Sequence, residues 1–287
     1  MKTRCFCGFG LLGLVLTAAL LRAAPIPDSV KIGGFAVGCQ AWTFNRFTAF
    51  EAIEKTALTG AKTIEFFPGQ RLRPDQPDAR WDHNASDEVI AQVQAHLAKH
   101  GVRAVNYGVV HGSDEAEWRK IFAFARKLGL YAVTTEDVDK LDLLEALAKE
   151  FDIRVAIHNH PRQPGNPNYK VWDPAYVLSV VKDRDQRVGA CADPGHWATS
   201  GITPLEGIKT LRGRIVSVHL KDRTAIGSGT PDVPFGAGIS NVKGMLDELK
   251  RQGFAGNISI EYETKWDNNV PDVAQCIGFF RGYGSCQ

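Results

Sequence analysis

The feature that most constrains this chain is a regular alternation of short apolar runs with longer amphipathic segments. Eight apolar runs have the pattern of buried strands, and each is followed by a segment with helical periodicity. Strands that are apolar on both faces are typical of a parallel sheet covered by helices. With 287 residues, of which 44% are hydrophobic, the chain can bury such a core. We therefore predict one α/β domain, a (β/α)₈ TIM barrel.

The predicted elements are bounded by capping residues and by glycines. The predicted strands are 35–42, 62–67, 102–109, 131–135, 153–157, 188–193, 215–220 and 257–262. The predicted helices are 47–58, 87–100, 114–128, 137–151, 173–182, 203–211, 241–253 and 271–281, with Ser86 and Ser113 as N-caps of the second and third. The Pro-rich stretch 68–82 is expected to be a polar loop. A doubly wound open sheet is the weaker alternative, because no Gly-rich phosphate turn follows the first strand.

The first 24 residues have the layout of a secretory signal peptide. Lys2 and Arg4 precede an apolar run from Phe6 to Leu21, and small residues follow. The run is short for a membrane anchor, so we expect cleavage, a mature domain over 25–287, and no membrane span afterwards. The sequence thus predicts an exported protein, either periplasmic or secreted.

Charge and cysteine content narrow the choice of partners. Removing the leader leaves 31 of the 34 basic residues against 32 acidic ones, and no basic stripe with interleaved aromatic residues occurs. This balance argues against a nucleic-acid partner. Cys39 and Cys191 lie in apolar strands and are expected to be small buried hydrophobic residues. Cys276 and Cys286 are candidates for a disulfide near the C-terminus.

In a TIM barrel the chemistry is located at the C-terminal ends of the strands. The clearest such end is VGACADPGHW at 188–197, where an apolar run leads to Asp193, turns through Pro194 and Gly195, and presents His196. Other strands end in the same way. The polar and aromatic residues at these ends are Gln40, Trp42, Glu65, Asn106, Tyr107, Glu136, His158, His160, Asp193, His196, His219, Lys221, Glu261 and Glu263.

Four of these residues predict a metal site. His158, Asp193, His219 and Glu261 follow four consecutive strands, and neighbouring strands lie about 4.8 Å apart. Ligands at matching heights can therefore converge on one cation. Two imidazoles with two carboxylates suit one divalent ion, namely Mn²⁺, Mg²⁺, Co²⁺, Fe²⁺ or Zn²⁺, and argue against a thiolate site.

Several motifs carry a family resemblance. IHNHP at 157–161, CADPGHW at 191–197, VHLKD at 218–222, FGAG at 235–238 and ISIEYE at 258–263 resemble the sugar isomerase/epimerase superfamily. This is the xylose isomerase-like TIM barrel group, which also contains the endonuclease IV fold. VGCQAWTF and TIEFFPGQ are similar to its first two strands, so the resemblance covers essentially the whole mature chain.

The resemblance implies roles for individual positions. Asp193, His219 and Glu261 match the family's metal ligands on strands six, seven and eight. The strand-five ligand of its sugar epimerases is usually a glutamate, and here it is His158. Those epimerases use glutamates on strands five and eight as acid and base, so the resemblance leaves His158, His160 or Glu136 to replace the missing one. His196 and Lys221 match positions that contact substrate oxygens in relatives.

The same residue types support proton abstraction beside a carbonyl without reference to the family. A divalent ion chelating the carbonyl and an adjacent hydroxyl stabilises an enediolate, while a carboxylate or imidazole removes the proton. Lys221 is a candidate hydrogen-bond donor to the oxyanion, and Glu65 is a weaker candidate for substrate contact. The expected apolar wall for a sugar consists of Trp42, Phe66, Tyr107 and Trp197.

Three classes of function remain open. The first is an isomerase or epimerase acting on keto-sugars. The second is an exported lyase or hydratase that eliminates the anomeric substituent of a 3-keto-glycoside, which fits the predicted export and the absence of the strand-five glutamate. The third is a non-catalytic sugar-binding barrel. The expected partner is a small sugar or glycoside, and the sequence leaves a homo-oligomer open. Endonuclease activity is excluded, because a trinuclear site needs more ligands than these strand ends offer and the charge does not suit DNA.

Overall fold

The predicted barrel is present. A computed structural model describes residues 25–286, so the predicted leader, 1–24, lies outside the described residues. Eight parallel strands form a closed sheet in chain order, because the first strand pairs with both the second and the eighth. The strands are β1 Phe35–Gln40, β2 Thr63–Phe66, β3 Arg103–Tyr107, β4 Ala132–Thr135, β5 Arg154–His158, β6 Val188–Ala192, β7 Ile215–Leu220 and β8 Asn257–Ile260. A two-residue strand, Lys31–Ile32, pairs antiparallel with the start of β1.

Helices cover the outside of the barrel. They are α1 Ala49–Leu58, α2 Asp87–His100, α3 Glu115–Leu128, α4 Leu141–Phe151, α5 Pro174–Val181, α6 Pro194–Thr199, α7 Pro204–Thr210, α8 Val242–Arg251 and α9 Val270–Ser285. The predicted limits of α2 are confirmed. Ser86 accepts a hydrogen bond from the Val89 amide, and Gly101 ends the helix with φ of 63°. At this positive φ a glycine is the least strained residue.

Three local predictions were wrong. The stretch expected as a polar loop contains a hairpin of strands Gln70–Arg73 and Gln76–Trp81, in which Leu72 and Trp81 are buried. Charged residues between these two apolar side chains conceal the strand pattern. Asp114, rather than Ser113, caps α3, because its carboxylate accepts from the Glu117 amide at 2.9 Å.

The third wrong prediction concerns the segment after β6. Pro194 and Gly195 begin the short helix α6 and do not form a simple turn. Proline is favoured in the first helical turn, where no amide donor is needed, and Asp193 supplies the N-cap. The Asp193 side chain accepts from the His196 amide at 2.9 Å. The helix therefore fixes both Asp193 and His196 at the end of β6.

The buried apolar residues form two clusters. The larger one includes Val37, Cys39 and Ile258, which pack between strands and helices. The smaller one includes Ala36, Val105, Tyr131, Ala132, Ala156, Cys191 and Val216. Farther along the same strands the inward positions become polar. Polar side chains thus gather at the C-terminal mouth of the barrel.

The cysteines after the leader do not form disulfides in the described residues. Cys39 and Cys191 are buried, as predicted. The expected pairing of Cys276 with Cys286 was wrong, because both thiols are free. Cys276 faces the core, whereas Cys286 follows α9 at the surface, ten residues or about 15 Å farther along a helical rise. Within residues 25–286, no helix has the length and apolar character needed to cross a bilayer.

Candidate active site at the barrel mouth

The four predicted metal ligands come together at the barrel mouth. His158, Asp193, His219 and Glu261 each offer a ligand atom within 4.8 Å of the others, and all four are buried. His158 Nε2 and His219 Nδ1 make no hydrogen bond within the described residues. Buried imidazole nitrogens without a partner are unfavourable unless they bind something. Two such nitrogens beside two carboxylates therefore form a donor set that fits a borderline divalent ion. This group is called the mouth cluster below.

A lysine ammonium lies inside the same cluster. Lys221 Nζ donates to Asp193 Oδ2 and to Glu261 Oε2, both at 2.6 Å, and lies 3.1 Å from Glu263 Oε2. Burial alone would lower the pKa of Lys221, but these carboxylates raise it well above its usual value. Burial favours the protonated form of Asp193 and Glu261, but the neighbouring cations hold the pKa of both carboxyls well below the usual range. The cluster is therefore ionised and internally neutralised.

The backbone explains how Lys221 reaches this position. His219 and Lys221 are two residues apart at the end of β7, so both side chains point into the barrel. The stem of Lys221 passes over Gly195, where an added Cβ would lie 2.6 Å from Lys221 Cβ. A side chain at position 195 would collide with the lysine. The DPGH sequence therefore supplies a helix cap, a helix start and the space for the ammonium.

Asp193 is also held through its backbone. The side chain of Asn159 donates to the Asp193 carbonyl at 3.0 Å and accepts from the Asp193 amide at 2.9 Å. This reciprocal pair joins the ends of β5 and β6. The Asp193 carboxylate consequently has one oxygen capping α6 and the other facing Lys221.

Below the cluster, Glu65 forms a second buried acidic site. Its carboxylate accepts from Ser259 at 2.6 Å and from Thr134 at 2.9 Å, and it lies 3.0 Å from His219 Nε2. Burial raises the pKa of Glu65, but the His219 imidazole and the hydroxyls outweigh burial and lower it. Glu65 thus orients His219, and it lies beneath the mouth rather than at the substrate surface.

Glu136 organises a separate set of hydrogen bonds. Its Oε1 lies 3.1 Å from His158 Nδ1 and 2.6 Å from His160 Nδ1, and it accepts from the Tyr169 hydroxyl at 3.0 Å. Burial alone raises the pKa of Glu136, but the two histidines lower it strongly. Glu136 is therefore a carboxylate that orients both imidazoles.

His160 and His158 differ in their access to solvent. The side chain of His160 is 48% exposed, whereas that of His158 is 1% exposed. The ring of His160 stacks on His196 with centroids 5.3 Å apart. Because Nδ1 of His160 faces Glu136, its Nε2 is the nitrogen left to act on a bound molecule.

A pocket of about 360 Å³ opens beside these residues. Its polar wall includes His160, Glu261 and Glu263, and its aromatic wall includes Trp42 and Phe67. Trp42 is 41% exposed and meets Phe67 edge to face at 5.1 Å. The pocket thus offers an apolar surface opposite acid and base groups, an arrangement typical of small-molecule sites.

Some predicted contact residues lie elsewhere. Tyr107 and Trp197 are buried in the core, as is Phe66, so the expected apolar wall includes only Trp42. Tyr107 bonds His83 at 3.1 Å, and Trp197 packs over Gly207. His196 and Lys221 are at the mouth but are almost fully buried, with Lys221 enclosed by carboxylates rather than lining the pocket.

Phe67, Tyr169 and His111, which also lines the pocket, were missed in the sequence. Phe67 follows the buried Phe66, and strand alternation alone indicates that one of these two rings faces the barrel mouth. Tyr169 lies in an irregular loop, and no periodic pattern identifies it. Its hydroxyl accepts from the His160 amide at 2.8 Å while donating to Glu136.

The fold is a TIM barrel, and the buried His, Asp and Glu cluster at its C-terminal mouth could hold a metal ion. The family described as xylose isomerase-like TIM barrel matches residues 53–283. The chain belongs to this family, and the resemblance noted in the motifs is confirmed.

Three similar proteins extend this comparison. The chain is 35% identical to an uncharacterized protein of Parabacteroides distasonis with a crystal structure, with a TM-score of 0.69 over 88% of this chain and 99% of that one. A D-tagatose 3-epimerase-like protein is 18% identical, with a TM-score of 0.67 over 87% and 97%, and shows the shared fold. An uncharacterized protein of Methanocaldococcus jannaschii is 31% identical over 141 residues. That match covers 48% of this chain and less than half, 44%, of the archaeal protein.

Proposed function

We propose that this protein is a metal-dependent carbohydrate enzyme that removes a proton from the carbon next to a sugar carbonyl. The observation that carries the proposal is the pairing of two features at one pocket. His160, oriented by Glu136, faces the pocket from one element, and Glu261 of the mouth cluster faces it from another. A base and a charge-stabilising cluster at one cavity are what enolisation requires.

His158, Asp193, His219 and Glu261 would hold the metal ion. When bound, a divalent ion supplies electrophilic stabilisation of the carbonyl oxygen of the substrate. The mixture of nitrogen and oxygen donors identifies the metal only as a divalent ion of the borderline class. The enclosed Lys221 ammonium adds positive charge to the same region and keeps Asp193 and Glu261 ionised.

We assign the removal of the substrate proton to His160 rather than to His158 or Glu136. Among the three, only His160 lines the pocket, and its Nε2 carries the lone pair when Nδ1–H faces Glu136. The Glu136 carboxylate then stabilises the imidazolium that forms. Tyr169 holds the amide of His160 and the same carboxylate oxygen, so the ring is fixed from two sides.

Return of the proton to carbon gives an isomerase or epimerase. Glu261 also lines the pocket, and it supplies a second acid or base group for return at another face or another carbon. The D-tagatose 3-epimerase-like protein with the same fold supports this branch as an analogy.

Elimination is the second candidate, and the pocket supports it through one feature. Trp42 and Phe67 present an aromatic surface beside the polar wall, which suits a glycoside with a bulky anomeric group. In this branch His160 removes the proton beside a 3-keto group, and the substituent leaves from the anomeric carbon with a proton from the imidazolium. The predicted export of the chain is consistent with a glycoside substrate outside the cell.

Proton NMR in D₂O separates the two branches. The purified protein is loaded with Mg²⁺, Mn²⁺ or Zn²⁺ and incubated with a 3-keto-glucoside or with a free ketohexose. Deuterium entering the ketohexose, with inversion or isomerisation, identifies the isomerase branch. Release of the aglycone identifies the lyase branch.

The control variant is His160→Gln, which keeps a polar side chain of similar reach but lacks the imidazole. It should abolish exchange in either branch while leaving the mouth cluster intact. If neither substrate exchanges or reacts with the loaded wild-type protein, the enzyme proposal fails and the non-catalytic barrel takes its place.

A further inference from the structure

A second group of metal-ligating side chains lies on the outside of the barrel. Glu54 on α1 and His96 and His100 on α2 each offer a ligand atom within 4.8 Å of the other two. None of these residues belongs to the mouth cluster or lines the pocket beside it. We call the three residues the α1/α2 cluster.

The helix geometry places both imidazoles on one side of α2. Residues four apart on a helix lie one above the other, and the rings of His96 and His100 have centroids 4.5 Å apart. Phe50 of α1 packs against His96 with ring centroids 4.3 Å apart, which limits rotation of that ring. The pair is therefore held toward α1 rather than free in solvent.

One imidazole nitrogen of each histidine is buried without a hydrogen bond. Neither His96 Nε2 nor His100 Nε2 makes a hydrogen bond within residues 25–286. His96 Nε2 lies 3.2 Å from Glu54 Oε1, close but without hydrogen-bond geometry. Two unpartnered buried nitrogens beside a carboxylate are costly in an apo protein and are satisfied together by one cation.

We propose that the α1/α2 cluster binds a borderline divalent ion of the Zn²⁺ type and joins α1 to α2. Two imidazoles and one carboxylate are a preferred donor set for such an ion, and water completes a four-coordinate shell. The side chain of Glu54 is 46% exposed and flexible, so it can move onto the ion while the histidines stay in place. Mg²⁺ and Ca²⁺ are disfavoured, because they prefer oxygen ligands. The site goes beyond the proposed sugar chemistry, because a structural ion between α1 and α2 needs no substrate.

The test is Zn²⁺ binding by the full chain, with Zn²⁺ alone as the probe. Chelator competition measures the stoichiometry and affinity for the wild-type protein, His100→Gln and the matched control Lys99→Gln. His100 and Lys99 are adjacent near the surface of α2, but only His100 belongs to the cluster. We expect His100→Gln to lose one Zn²⁺ equivalent, or to bind it at least about tenfold more weakly, and Lys99→Gln to match the wild type.

Two further measurements separate this site from the mouth cluster. Co²⁺ bound at the α1/α2 cluster should give tetrahedral absorption bands that persist in Asp193→Asn and vanish in the double variant Asp193→Asn/His100→Gln. Saturating Zn²⁺ should raise Tm by roughly 5 °C more in the wild type than in His100→Gln. Equal stoichiometry and affinity in wild type and His100→Gln would overturn the proposal, whatever the enzyme assays show.

Discussion

Replacing Lys221 with methionine removes the one ammonium at the centre of the mouth cluster. Methionine keeps the unbranched stem that passes over Gly195, so the change removes charge with little change in shape. Asp193 and Glu261 each lose a contact of 2.6 Å, and Glu263 loses one of 3.1 Å. Removing one partner of a buried ion pair costs about 3–5 kcal/mol. We expect the free energy of unfolding at pH 7 to fall by about this amount.

The pH dependence of the loss follows from the carboxylates that remain. Without the ammonium, only the neighbouring imidazoles oppose burial, so we expect the pKa of Asp193 and Glu261 to rise and the folded variant to bind protons that the unfolded chain releases. The stability of the variant therefore falls as pH rises through those raised pKa values, and the deficit should be smaller at pH 5 than at pH 7. In the wild type, the raised pKa of Lys221 stabilises the fold at all pH values below about 10 and stops doing so only above that.

Urea unfolding at pH 5 and pH 7, in the presence of a chelator, measures both effects. The matched control is Lys243→Met, because Lys243 pairs with Asp247 at the surface with 69% of its side chain exposed. That variant should stay within about 0.5 kcal/mol of the wild type. A loss of less than about 1 kcal/mol for Lys221→Met at pH 7 would refute the reasoning, since Lys221 would then not be the counter-cation of the cluster.

Three further predictions concern the site and its surroundings. Glu136→Gln should lower kcat about a hundredfold with little change in KM, because the His160 imidazole loses the carboxylate that orients it. Steady-state kinetics on whichever substrate reacts in the NMR assay measures this. Trp42→Ala should raise KM about tenfold with kcat nearly unchanged, and an equal fall in kcat would place Trp42 in the chemical step instead. Burial raises the pKa of Asp232 to about 6 despite the neighbouring Arg223. The folded state therefore binds more protons than the unfolded state between about pH 4 and 6. The free energy of unfolding should fall by at most about 3 kcal/mol as the pH rises through that interval. Asp232→Asn should flatten this slope in thermal melts at pH 4, 5, 6 and 7, and an unchanged slope would assign it to another group.

The barrel could be predicted from the sequence because the alternation of strand and helix patterns is repeated eight times. Most strands are largely apolar runs, and capping residues such as Ser86 and Gly101 mark helix ends through local chemistry. The hairpin over 70–81 was missed, since Leu72 and Trp81 are its only buried apolar residues and charged residues surround them. Its strands form by pairing with each other, and strand pairing is weakly encoded in any single segment.

The mouth cluster was predictable for a related reason. Residues that follow parallel strands meet at one end of a barrel, so the sequence alone predicts that His158, Asp193, His219 and Glu261 lie together. What a strand-end pattern does not encode is depth. Tyr107 follows the same rule as Trp42, yet one is buried and the other is 41% exposed.

The environment of Lys221 was likewise not predictable from its place at a strand end. Its type and spacing suggested a donor to substrate, but three carboxylates from other strands and loops surround its ammonium. Electrostatic contacts of this kind depend on distances of a few ångströms between segments far apart in the chain. Tyr169 was missed for the same reason, because it reaches Glu136 from a loop.

Closure of the barrel ties the chemistry to the order in which the chain is made. Cys39 on β1 pairs with Ile260 on β8, about 220 residues later. At a translation rate of about 5–20 residues per second, β8 is synthesised roughly 10–45 seconds after β1, and one edge of β1 stays unpaired during that time. An unpaired edge is a surface on which other strands can add. Glu261 directly follows the closing strand, so the same event that covers the edge also brings the last carboxylate to Lys221.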